Sequence, residues 1–517
     1  MGAKWGQSGT FVPMVCWGGG LRAWVRRAIF CSFLALTVFP LRSVCGAQES
    51  PKPDPNVPPA AKPSQPAQNP QTSPTVPESE QPGAGATVRT GSQFGQGGDR
   101  SFAARLGRLL ADHQFLEMES LLHASDDAAS SGNEAGKLPP EQKQLFRGVL
   151  ANRENHPQES IRLLEPLLEK LKTAAPTPDE KLLRKTLAED YLRAGDLPQA
   201  NQAYLEFEYR FGGSLSQDER DEIEVPFKVL PLIYQYPPMT VEAGDPFELP
   251  YDRDALGLTD VPVFVDGQSH DWMLDPTAPF NMICRSTAKE IGLKISDEAV
   301  TVKSITGRPM RVHVTVIPRF TIGTITYRNM TAVVFDDADY YFPRADYQVR
   351  GVLGYPAVSA LGSLTVTAES NIEVQPGEKG ERLTTGARFF LDGDRVIAAL
   401  GKSGDERMFA VDASGQQTYL TSRYYAEHAG EFENKKMELL AVPGSQNKPP
   451  APAYMADSST VRVGNVPVTL HFVQVLTQPL GNAALDDTYG TLGMDALDEL
   501  KSYTFDYRTM RFAVTTE

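Results

Sequence analysis

The chain has 517 residues, enough for two to four domains, and its 41% hydrophobic and 22% charged residues are the balance of a largely globular protein. A formal net charge of −15 argues against non-specific nucleic-acid binding, which needs a basic surface, and no stripe of Lys and Arg interleaved with aromatics occurs. The acidic balance is read as a solubility feature.

Residues 1–47 read as a signal peptide. Arg22, Arg26 and Arg27 precede the short apolar run from Ala28 to Leu41, which Pro40 and Arg42 close, and a small residue at Ala47 offers a cleavage point. The run is too short to span a bilayer comfortably, so the expectation is an exported protein, periplasmic or secreted, with no stable membrane span after cleavage. An uncleaved anchor is the competing reading. Of the cysteines at 16, 31, 45 and 284, three would leave with the signal, so no internal disulfide is expected. Cys284 follows Ile283 in an apolar context and reads as buried and inert.

Residues 48–98 are dominated by Pro, Ala, Gln, Ser and Gly, as in "PKPDPNVPPAAKPSQPAQNPQTSP". Such a segment cannot bury enough apolar surface to offset its ordering entropy and reads as a disordered linker. Over residues 99–216 the period becomes helical, with apolar residues at three- and four-residue steps. Asn155-His-Pro-Gln recurs as Asp196-Leu-Pro-Gln at an offset of 41 residues, each the turn of a helix pair with Pro near the start of the second helix. The phrase Ala194-Gly-Asp-Leu-Pro-Gln-Ala200 resembles a tetratricopeptide repeat, although the usual spacing is about 34 residues. A protein partner bound through these helices and a plain helical spacer are both open on this reading.

After residue 225 the texture is β: Val-, Thr- and Phe-rich runs alternate with Gly, Pro and Asp turns. This half matches itself. "MLDPTAPFNMICRSTAKEIGL" aligns with "FAVDASGQQTYLTSRYYAEHAG", pairing Asp275 with Asp412. Gly307 and Gly444 each follow their aspartate by 32 residues, and Gly323 pairs with Gly464. Gly351 lies 76 residues past Asp275, and Gly490 lies 78 past Asp412. Four correspondences in the same order point to two homologous lobes, 225–375 and 385–517. Such a repeat can bring one Asp per lobe together across a pseudo-two-fold axis.

An Asp after an apolar strand, a Gly-bearing hairpin about thirty residues on and a later Gly-x-Leu-Gly element resemble the retropepsin-like aspartic peptidases, and two lobes in one chain resemble the bilobal pepsins. The elements Gly351-Val-Leu-Gly354 and Gly490-Thr-Leu-Gly493 carry this best. The fold class so implied is a multidomain chain, a TPR-like α-helical repeat domain followed by an all-β bilobal aspartic-peptidase-like domain. The resemblance makes Asp275 and Asp412 the catalytic dyad, Pro276, Thr277, Ala278, Ala413, Ser414 and Gly415 the catalytic turns, and Gly307 and Gly444 the hairpin tips over the cleft. It implies a peptide or protein substrate, an activated water and no cofactor.

In that chemistry two carboxylates share one proton, because like charges a few ångströms apart do not both ionise cheaply. The ionised one takes a proton from water and the protonated one supports the carbonyl oxygen of the scissile bond. The two turns depart from the family pattern of Thr or Ser, then Gly, after each Asp. Pro276 has neither hydroxyl nor N–H, Ala413 lacks the hydroxyl, and Thr277 and Ser414 stand where Gly is usual. The readings that remain are an aspartic endopeptidase with an altered lock through Thr277 and Ser414, and a catalytically inactive homologue that binds a peptide or envelope partner. A purely structural β domain is a third. No CxxC or HExxH pattern occurs, and Asp336, Asp337, Asp339, Asp486 and Asp487 read as solvated loop acids, so no metal is expected.

Overall fold

Capping residues decide where the helices begin. The computed structural model describes residues 102–131, 138–171, 175–265, 267–304, 308–377, 380–393, 395–413, 415, 417–441, 449–481 and 486–516. The expected signal peptide (1–47) and Pro-rich linker (48–98) lie outside them. Helices α1 (Phe102–Ala111), α2 (Phe115–Ser131), α3 (Pro140–Arg153), α4 (Pro157–Leu164), α5 (Pro178–Arg193), α6 (Leu197–Phe211) and α7 (Gln217–Ile233) follow one another along the chain. Thr177 caps α5 by accepting from the Glu180 N–H at 3.2 Å, and Asp196 caps α6 by accepting from the Gln199 N–H at 3.2 Å. Ser216 and Glu219 form a capping box on α7.

The hinge between α3 and α4 matches the hinge between α5 and α6. Asn155 (φ 58°) and Gly195 (φ 75°) turn left-handed, and the next N–H reaches back five residues, His156 to Ala151 O at 2.8 Å and Asp196 to Tyr191 O at 3.0 Å. Across the pairs, Asn152 Nδ2 donates to the buried Asp190 Oδ1 at 2.7 Å.

The helical region runs to Ile233, beyond residue 225, where the β region was expected to start. Pro226 and Pro231 inside α7 each cost a helix about 3 kcal/mol. Against this, α7 buries Ile223, Val229, Leu230 and Ile233, each contributing about 1.5–3 kcal/mol. Burial outweighs the prolines.

Each β lobe repeats one strand arrangement. In the first, Gly351–Leu353 runs parallel to Gln268–Leu274 (Leu353 opposite Leu274) and antiparallel to Asn281–Cys284 (Gly351 opposite Ile283). Asn281–Cys284 in turn runs parallel to Ile325–Phe335. In the second, Gly490–Leu492 runs parallel to Asp405–Val411 (Leu492 opposite Val411) and antiparallel to Tyr419–Leu420 (Gly490 opposite Leu420). Tyr419–Leu420 runs parallel to Val466–Leu476. The lobes meet on antiparallel strands in the order Phe247–Pro250, Asn371–Gln375, Ser363–Thr367, Ser502–Asp506, Arg511–Thr515, Ala387–Asp392.

The helices share their cores with both lobes. Phe207, Ile223 and Leu230 pack in one apolar cluster with Met310, Val312 and Phe335 of the first lobe. Phe115 and Met118 pack with Phe390, Ile397 and Met408 of the second. Polar contacts reinforce the second junction, where Asp392 meets His113 Nε2 at 2.6 Å, Arg153 at 2.9 Å and Arg395 at 2.9 Å. Burial alone would raise the Asp392 pKa, but Arg153, His113 and Arg395 together hold its carboxyl well below the usual range. The helices therefore serve as packed partners of the β lobes, which a free spacer would not. Among the described residues no helix is long and apolar enough to cross a membrane.

Candidate functional site

Asp275 leaves the end of Gln268–Leu274 and Asp412 leaves the end of Asp405–Val411, and the backbone treats them alike. The Asp275 N–H donates to Leu353 O at 3.0 Å and the Asp412 N–H to Leu492 O at 2.9 Å. Ala278 N–H closes its turn onto Asp275 O at 3.2 Å, as Gly415 N–H does onto Asp412 O at 3.3 Å. The turns are held from outside by Tyr355 N–H on Ala278 O and Met494 N–H on Gly415 O, both at 2.8 Å. The sequence repeat is thus a repeat of hydrogen bonds.

The glycines of the two Gly-x-Leu-Gly elements are required by close approach. A Cβ on Gly354 would lie 2.4 Å from Phe280 O, and one on Gly493 would lie 2.7 Å from the Gln417 carbonyl carbon. Gly351 and Gly490 are equally confined, at 2.3 Å from Trp272 and 2.8 Å from Tyr419 O. Reading the sequence missed one pair. Asn281 Oδ1 accepts from Gly354 N–H at 3.1 Å, and Thr418 Oγ1 accepts from Gly493 N–H at 2.9 Å. Each is a buried polar residue six positions after its aspartate in an apolar stretch, and that shared offset was the available signal.

The carboxylates differ in detail. Asp275 Oδ1 accepts from the Thr277 hydroxyl at 2.6 Å and from the Thr277 N–H at 3.0 Å. The hydroxyl that Pro276 cannot offer is supplied one residue later. Asp412 Oδ1 accepts from Gly415 N–H at 2.7 Å, and a Cβ on Gly415 would fall 2.2 Å from Asp412 Oδ2. Burial pushes the Asp275 carboxyl above its ordinary pKa; the two Thr277 hydrogen bonds oppose this and the negative charge of Asp412 adds to it. Asp275 therefore feels Asp412 and holds its proton more tightly than a free aspartate. Burial and the Asp275 charge also push the Tyr340 hydroxyl up to about 12.

Pro276 and Ala413 line one small apolar pocket of about 20 Å³ with Leu274, Phe505 and Tyr507. A second cavity, of about 680 Å³, opens at the Asp275 turn. Its walls are Pro276 to Phe280, the Tyr355–Ala360 region and residues of α5, α6 and α7. Ser414, Gly307 and Gly444 lie outside the described residues. The loop acids have structural partners: Asp336 pairs with Arg285, Asp337 accepts from Ser286 N–H at 3.0 Å, Asp336 and Asp339 form a capping box, and Asp486 accepts from Leu480 N–H at 2.7 Å. Cys284 is buried, its thiol 3.0 Å from Thr287 Oγ1.

Residues 261–357 match the family model described as aspartyl protease. No curated protein matches the chain. Among solved structures, the chain is similar to a retropepsin-like aspartic protease from Rickettsia conorii, with 17% identity over 26% of this chain and 99% of that one and a TM-score of 0.20. The family match places an aspartyl-protease-like segment at residues 261–357, within the first lobe.

Proposed function

We propose that the chain is an exported aspartic endopeptidase in which Asp275 and Asp412 hold one proton between them and activate a water molecule. The observation that carries this reading is the matched pair of turns, with a half-buried Asp275 whose protonated form is favoured further by the charge of Asp412. That is the electrostatic condition for one neutral and one ionised carboxyl. The neutral acid hydrogen-bonds the scissile carbonyl. The ionised one takes the proton of the attacking water, and the proton later passes to the leaving amine. No covalent intermediate forms. Export rests on residues 1–47, and a tetratricopeptide-like role for the helix pairs rests on their shared hinge.

The test is cleavage of a proteome-derived peptide mixture by the mature protein between about pH 3 and 7, the span over which a carboxylate dyad titrates. Asp412→Asn and Asp275→Asn run beside it. Cuts that disappear in both variants support the dyad; cuts that persist in either sink it.

A second reading, an inactive homologue that binds peptides, is favoured by one observation: the positions after both aspartates meet in an apolar pocket with no hydroxyl lock. Peptide binding by the parent chain with no Asp-dependent cleavage at any pH would establish it.

A further inference from the structure

The cavity at the Asp275 turn is walled on one side by the helical region, and the charges on its walls are uneven. Lys185 is neutralised by Glu222 at 2.6 Å and Glu189 at 3.7 Å. Lys303 pairs with Asp221, and Glu224 pairs with Lys228 at 2.6 Å. Glu189 is held by Arg153 as well, at 3.1 Å. Arg193, at the C-terminal end of α5, also lines the cavity, and no carboxylate among the described residues pairs with it. Its guanidinium donates to two backbone carbonyls, Asn152 O and Gly393 O, both at 2.8 Å. These bonds fix the fork between α3 and Gly393 of the second lobe and leave it without a paired carboxylate among the described residues. Asp190, the acid whose charge Arg193 feels, takes its hydrogen bond from Asn152 Nδ2 at 2.7 Å and forms no ion pair with Arg193.

A half-buried guanidinium, held by neutral acceptors beside apolar walls such as Leu197, Ile223 and Phe280, is built to receive a planar anion. We propose that Arg193 binds a carboxylate of the peptide that occupies this cavity, so that the helical region sets the specificity of the Asp275 site. This deepens the peptidase reading and rests on it for the identity of the ligand as a peptide. The carboxylate has two sources, a peptide C-terminus or an acidic side chain, and one guanidinium recognises both.

The experiment uses the full chain carrying Asp275→Asn, so that binding is read without turnover. Fluorescence anisotropy follows fluorescein-labelled Gly-Ala-Leu-Phe-Val with a free carboxylate or an amide end. The amide-ended peptide is also made with Glu or Gln in place of Leu. The expected result is about tenfold tighter binding of one carboxylate-bearing peptide than of its neutral twin, since a hydrogen bond to a charged group is worth about 1.5–3 kcal/mol. The pair that shows the gap, acid against amide or Glu against Gln, identifies the source. Adding Arg193→Gln should close the gap and leave the amide-ended peptide bound as before, which separates loss of recognition from loss of fold. Arg193→Lys, which keeps the charge and loses the fork, should retain part of the gap. A gap that survives Arg193→Gln, or no gap in either pair, overturns the proposal. Because cleavage is not measured, failure here leaves the dyad standing, and failure of the dyad leaves this result standing.

Discussion

Pro276 and Ala413, the residues that follow the two aspartates, line the same small apolar pocket between the lobes. Neither residue carries a hydroxyl, so the two turns face one another here through carbon-bearing side chains. Introducing a hydroxyl on one side alone, as in Ala413→Thr, places a polar group in a pocket of about 20 Å³ beside Leu274 and Phe505. An unmatched buried hydroxyl costs about 1–3 kcal/mol, so the single variant should unfold at lower denaturant. Adding Pro276→Thr supplies the reciprocal partner. The double variant should recover part of that loss, giving a coupling of about 1 kcal/mol in a double-mutant cycle of unfolding free energies. Strict additivity would show that the pocket is not a mutual contact.

Gly415 is the point where the second turn has no room. An alanine Cβ there would overlap Asp412 Oδ2 at 2.2 Å, so Gly415→Ala must swing the carboxylate off the N–H that holds it at 2.7 Å. Stability should fall by about 1–3 kcal/mol, since a charge-assisted hydrogen bond is lost. Asp-dependent cleavage should fall more steeply, by about a hundredfold, because displacement of a reacting group is penalised severely. The corresponding change in the first turn lands on Ala278, which already carries a Cβ, so Ala278→Gly should leave cleavage within a few-fold of the parent. Equal losses in the two variants would contradict the asymmetry of the turns.

Most of the site's framework was legible in the sequence because it depends on backbone pairing, which repeats with the residues that permit it. Asp275 and Asp412, Gly351 and Gly490, and Gly354 and Gly493 occupy equivalent places because each glycine is the only residue that fits beside its neighbour. Thr277 as a hydroxyl donor could be posed from the sequence as an altered lock, but the distance that makes it one could not. The helical region continues to Ile233, past residue 225, because tertiary burial of Ile223, Leu230 and Ile233 sustains a helix that contains Pro226 and Pro231. The helical wall of the Asp275 cavity was invisible, since it arises from contacts between segments far apart in the chain, such as Lys228 with Thr301 O at distance 2.7 Å and sequence separation 73, and Arg193 with Gly393 O at separation 200.

The hairpin strand Val300–Lys303 lies against α7, and two kinds of contact join them. The polar kind comprises Lys303 with Asp221 and Lys228 Nζ on Thr301 O at 2.7 Å. These groups are exposed, and exposed ion pairs contribute little. The apolar kind is the shared cluster of Val302, Met310, Leu230 and Ile223. Lys228→Ala should therefore leave hydrogen exchange in residues 300–303 near the parent rate. Leu230→Ala, at a fully buried position, should cost about 2–5 kcal/mol and speed exchange in that strand as well as in α7. If Lys228→Ala alone frees the strand, the polar contacts are the ones that hold it.

Asp190 makes stability depend on pH within the helical region. It is fully buried, its Oδ2 has no hydrogen-bond partner, and burial pushes its carboxyl up to about 7 despite the opposing bond from Asn152. The folded chain keeps a proton that the unfolded chain releases above the ordinary value of 3.8. The contribution of this group is therefore fully present below pH 3.8 and is lost as pH rises toward 7. A shift of this size corresponds to roughly 3 kcal/mol, taking about 1.4 kcal/mol per pKa unit and allowing for relaxation of the buried site. Asp190→Asn keeps an acceptor for Asn152 and removes the titration. The variant should match the parent near pH 4 and exceed it by several degrees in melting temperature near pH 8, a difference that differential scanning calorimetry at the two pH values reads directly. A variant that melts below the parent at pH 8 would mean that Asp190 is held ionised, with Arg193 as the charge that compensates it.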